Sequence, residues 1–161
     1  KKKYRQDKGK ALYRRSLYTY WRRIIGPTMF FDVAKRQVCE VKPLRTNTPM
    51  HALTTMNDLT YVEAGRAMGD LVLLEAKDDE ARLRLAMRRT LGRMPSPKEM
   101  MLCKRSLERA TTSFKTDPEA ARRFLSHGDS KLNSEIPPAT RAAWAALCLN
   151  LLNLDETLNK E

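Results

Sequence analysis

The chain has 161 residues, 42% hydrophobic and 31% charged, a globular composition long enough to bury a core and unlike that of a disordered chain. No stretch approaches the roughly 18 consecutive apolar residues of a membrane-spanning helix. The net charge of +12 is uneven: residues 1–45 hold 14 Lys/Arg against Asp7, Asp32 and Glu40, a net of +11, and residues 46–161 are near neutral at +1.

Lys1, Lys2 and Lys3 lead into polar sequence, without the apolar region of a signal peptide, and there is no initiator Met. The chain therefore reads as a fragment of a longer polypeptide, and the lack of a targeting signal says nothing about where the parent resides. In RRSLYTYWRR (14–23), Tyr13, Leu17, Tyr20 or Trp21, and Ile24 recur at helical spacing. That pattern predicts a helix with its aromatics inward. Arg14, Arg15, Arg22 and Arg23 then flank the stripe as a candidate binding or docking surface. Nucleic-acid bases would need those rings exposed beside the charge, the weaker reading. Gly26-Pro27 breaks the helix, and residues 26–45 read as an irregular connection with at most one short strand.

From residue 48 the punctuation is helical throughout. Thr48-Pro49 predicts an N-cap with Pro at N1, opening a helix to about Met56. Thr60, with Glu63 three residues on, predicts a capping box, followed by an inward stripe of Tyr61, Ala64, Met68, Leu71 and Val72. Asp78 or Asp79 starts a third helix carrying Leu83, Ala86, Met87, Thr90 and Leu91 inward and ending at Gly92. Ser96, Pro97 and Glu99 cap a fourth, with Met100, Cys103, Leu107, Ala110 and Phe114 inward. Asp117-Pro118 opens a short fifth helix bearing Ala121, Phe124 and Leu125 and closed by Gly128. After a polar loop at 129–138, a last helix spans about Ala139 to Leu152, with Trp144, Leu147, Cys148, Leu151 and Leu152 inside.

Chemistry-bearing motifs are sparse. Cys39, Cys103 and Cys148 form no CxxC pair and, with His51 and His127, lack the spacing of a structural zinc site. They read as buried or half-buried free thiols. The Asp78–Asp79–Glu80 run is explained by the helix dipole. GxxxxGK[ST], HExxH, GxSxG and CxxCH are all absent. Met50, Met56, Met68, Met87 and Met101 read as packing residues, with no haem ligation in this domain. The helix–turn–helix pattern over 49–76 lacks a basic recognition helix, since TYVEAGRAMGD starts acidic and offers only Arg66. No catalytic or metal-binding residue emerges, which leaves enzymatic activity open and leaning against.

YRQDKGKALYRRSLYTYWRR (4–23), RTNTPMHAL with NDLTYVEAGRAM (45–68), LGRMPSPKEM (91–100) and NLDETLNKE (153–161) occur in an order that resembles one family over nearly the whole chain. It is the C-terminal domain of unknown function of planctomycete secreted, cytochrome c-domain-containing multidomain proteins. The family motif falls on Arg45, Thr46, Asn47, Thr48 and Pro49. The resemblance implies export, haem only elsewhere in the parent chain, and contact with other domains of the same protein.

The sequence thus predicts an all-α, single-domain helical bundle of about six helices over 1–161, with a basic N-terminal helix and connection over 1–45. The function expected is a non-catalytic interaction or structural module of an exported protein linked to redox or polysaccharide processing. One alternative is polyanion binding through residues 1–45, to acidic polysaccharide before nucleic acid, with affinity falling steeply as salt rises. Another is part of an enzyme whose site needs an upstream segment.

Overall fold

The computed structural model describes residues 48–130 and 135–158. Within them lie seven helices and no strand: α1 (Pro49–Asn57), α2 (Leu59–Glu75), α3 (Asp79–Leu91), α4 (Pro97–Thr116), α5 (Pro118–Leu125), α6 (Pro138–Leu152) and the single turn α7 (Asp155–Leu158). The described residues are an all-α helical bundle. Tertiary contacts divide the chain into two compact units, Lys1–His51 and Ala52–Glu161, and the packing below is that of the second. The expected N-terminal helix and the 26–45 connection lie outside the described residues.

Short polar side chains start these helices where their orphan N–H groups need acceptors. Asp78 accepts from the Ala81 N–H at 2.9 Å and Asp117 from the Ala120 N–H at 2.9 Å. At α4 the capping box is complete: the Ser96 N–H donates to Glu99 at 2.7 Å, and the Glu99 N–H donates back to Ser96 Oγ at 3.3 Å. The cap of α2 differs from expectation. Asp58, not Thr60, accepts from the Thr60 N–H at 2.9 Å and the Tyr61 N–H at 3.4 Å. Glu63 is thereby released from capping and turns into the interior. Gly92 ends α3 at φ 73°, while α5 stops at Leu125, before Gly128.

At the centre is α6, apolar around most of its circumference, against which α2, α4 and α5 pack. Trp144 joins Val72, Leu83, Met87, Leu147 and Leu151 in the main core. Ala121, Leu125, Ala142 and Ala145 form a smaller cluster beside the stacked rings of Phe114 and Phe124. The expected inward faces of α3 and α5 are borne out, and those of α4 and α6 hold with several members half-buried, Leu152 among them.

The inward face of α2 is the substantive correction. Val72 is buried, and Met68 and Leu71 pack half-buried against the core as expected, but Ala64 is exposed, and the buried line runs through Val62, Gly65, Gly69, Val72 and Leu73. A side chain on Gly69 would lie 2.9 Å from the backbone nitrogen of Ala145, and one on Gly65 would lie 2.9 Å from Leu149 Cβ. Backbone proximity therefore sets this contact, whereas a stripe of large apolar residues predicts a wider one. Methionine also departs from expectation: Met87 is buried and Met68 half-buried, yet Met50, Met56 and Met101 are exposed.

At the C-terminal end, Arg93 reaches Glu99 at 2.7 Å and Glu156 at 2.6 Å, fastening α7 to the start of α4. The Arg93 guanidinium, aided by Ser96, holds the Glu99 carboxyl down at about 2, and Arg93 also lowers Glu156. A depressed native pKa contributes stability that is complete above the ordinary value of 4.5 and lost as pH falls through about 2. Glu99→Gln is thus expected to remove part of the acid sensitivity between those limits, read as a smaller fall in thermal midpoint than in the unsubstituted protein. An identical fall in both would contradict this linkage.

Candidate functional site

Among the described residues, two buried polar clusters and an open groove stand out as places where chemistry or binding could reside. The first cluster joins α2 to the turn after α5. Arg66, 2% exposed, donates from Nη1 to the Leu125 carbonyl at 2.9 Å and from Nη2 to the Ser130 carbonyl at 2.8 Å, with a further bond to Ser130 Oγ. Glu63 lies 3.7 Å from Arg66 and accepts from the Ser130 N–H at 2.5 Å. Its side chain occupies the space a Cβ would need at Gly128, whose φ of 93° permits the turn. Arg66 satisfies a carbonyl at the end of α5, the task of a helix-end anchor. Its Nε is buried without a partner.

The second cluster is a bidentate ion pair between α2 and α6. Arg141 Nε and Nη2 donate to Asp70 at 2.7 and 2.6 Å, with side chains 4% and 15% exposed. Both clusters hold their charged groups in internal bonds. The two described thiols are muted as nucleophiles: burial pushes Cys103 up and takes Cys148 to about 12, far from thiolate formation at neutral pH. Among the described residues, no group of three or more His, Cys, Asp or Glu converges at metal-binding distance.

The groove lies along α3 and α4 and has a volume of about 920 Å³. Pro95, Pro97, Met100 and Met101 supply its apolar surface. Glu80, Arg84, Lys104, Arg105 and Glu108 edge it. Glu80 is held by Arg84 at 2.6 Å and Lys104 at 3.4 Å, which lower its carboxyl below the ordinary range. The acidic run at the start of α3 is thus fully used: Asp78 caps, Asp79 pairs with Arg82, and Glu80 ties α3 to α4.

Arg14, Arg15, Arg22 and Arg23, with Arg45, Thr46 and Asn47, lie outside the described residues. Thr48 and Pro49 are exposed, and Thr48 Oγ1 accepts from the His51 N–H at 3.3 Å, the cap expected at α1. Arg66 is buried, so it cannot serve as a base-reading residue. Sequence reasoning missed Glu63, Arg66, Asp70 and Arg141. A sequence signal for part of this set existed: Glu63, Arg66 and Asp70 recur at spacings of 3 and 4, one continuous helix face. A family model described as a protein of unknown function (DUF1553) matches residues 1–107, ending inside α4. No curated protein and no solved structure matches the chain.

Proposed function

The chain belongs to the PSD1 family of unknown function, DUF1553, and from that premise we propose that it is a non-catalytic interaction module that packs on other parts of a larger polypeptide. The observation that supports this reading is the outward display of large apolar side chains on a small unit. Leu53, Leu59, Leu74, Met94, Met101 and Leu102 are each at least half exposed. Apolar surface of this kind, when contiguous, marks contact sites. The charged side chains of Glu63, Arg66, Asp70 and Arg141 are meanwhile engaged inside the fold. The setting supplied by the sequence resemblance is an exported planctomycete protein with redox or polysaccharide-processing domains. Its neighbouring domains are the surfaces to be met, or an acidic polysaccharide.

Methionine footprinting tests the reading, because exposed thioethers oxidise faster than buried ones. Met56, Met94 and Met101 are exposed and Met87 is 2% exposed. Oxidation of at least one of the first three is expected to slow when the chain is read inside its parent polypeptide, with Met87 protected throughout. Equal rates at all three in both settings would overturn the proposal.

A further inference from the structure

Along α4, Lys98, Leu102, Arg105 and Arg109 follow one another at spacings of 4, 3 and 4, a single helix face. Leu102 is 51% exposed and the adjoining Met101 59%. Most neighbouring cations are in ion pairs: Arg84 and Lys104 share Glu80, Arg93 meets Glu99 and Glu156, and Arg89 meets Glu75. Lys98, Arg105 and Arg109 have no ion pair among the described residues. The helix therefore shows unneutralised positive charge beside a Met- and Pro-lined groove.

Each half of that surface selects against a different occupant. A polyanion such as a sulfated glycan or nucleic acid would use the cations and leave Met100, Met101, Pro95 and Pro97 unused. An uncharged apolar segment would leave the cations unsatisfied. A chain segment with an apolar stripe flanked by carboxylates meets both demands, and flexible thioethers adapt to such helix-in-groove contacts. We propose that the α3–α4 groove docks an acidic amphipathic helix, from another part of the parent polypeptide. From Lys98 to Arg109 the stripe is about 16 Å long, enough for about three turns of a partner helix. This rests on the interaction-module reading and names its surface and partner chemistry.

The probe is a labelled synthetic peptide of about three turns, with Leu at helical spacing and Glu between. Saturable binding by fluorescence anisotropy is expected. Arg105→Glu with Arg109→Glu, both exposed, and separately Met101→Asp, should each weaken it by about tenfold or more. A scrambled peptide of the same composition should bind more weakly than the amphipathic one. Circular dichroism establishes that each variant remains folded. Absent binding overturns the proposal. So does equal binding of the scrambled peptide or heparin with no effect of Met101→Asp, which would make this a plain polyanion surface. In the parent polypeptide, slowed oxidation of Met56 or Met94 but not Met101 would remove the groove and leave the interaction-module reading standing.

Discussion

Asp70→Ala is expected to destabilise the bundle by about 3–5 kcal/mol, because it strands a guanidinium in the interior. Arg141 is 4% exposed, and Asp70 provides its bidentate partner. Arg141→Ala should cost less, since the orphaned carboxylate of Asp70 is 15% exposed and can turn toward water. Replacing both at once, Asp70→Leu with Arg141→Met, removes the desolvation penalty with the attraction and should be close to neutral. The pair would then act chiefly in fixing how α2 registers on α6. Urea unfolding of these proteins, with Asp70→Ala/Arg141→Ala added to close the cycle, gives the coupling directly. A loss below about 1 kcal/mol for Asp70→Ala would mean that the guanidinium finds water or another acceptor.

Several helix starts are legible in the sequence because their caps are local, although the equally local cap of α2, Asp58, competes with a rival pattern at Thr60. Ser96 with Glu99, and Asp117 before Pro118, each satisfy N–H groups three residues away, so short-range composition determines them. At α2 the same reasoning chose Thr60 because Glu63 completes a capping-box pattern. Asp58 takes the cap, and Glu63 is instead engaged 67 residues away, accepting from the Ser130 N–H in the interior. Composition around Glu63 carries no trace of that partner. The shared helix face of Glu63, Arg66 and Asp70 is a partial signal, but nothing local marks Arg141 as buried, since the ordinary place of a charged residue is the surface. The groove was half legible. Spacing alone turns Met100 inward, as observed, but it gives Met101 a packing role, and only the placement of α3 shows that Met101 lines the groove. Of the candidate residues chosen from sequence, Thr48 and Pro49 alone fall within the described part.

The glycine contact between α2 and α6 was present in the sequence as GRAMG (65–69), yet a search for large apolar residues passes over it. Its energetic weight gives the second large expectation: Gly69→Val should cost about 3 kcal/mol or more. The first added carbon would meet Ala145 N at 2.9 Å, Ala145 Cα at 3.1 Å and the Trp144 carbonyl carbon at 3.1 Å. These are backbone atoms of the central helix, so they can yield only if α6 moves and loosens the packing of Trp144. Gly69→Ala meets the same contact but gains up to about 1 kcal/mol in helix propensity, and a net loss of about 1–2 kcal/mol is expected. Ala64→Val, exposed on the same helix, controls for the β-branched side chain itself and should stay within about 0.7 kcal/mol. If Gly69→Ala instead raises the urea midpoint, helix propensity outweighs the clash. The close approach of α2 to α6 would then be something the sequence tolerates, with no requirement for glycine at residue 69.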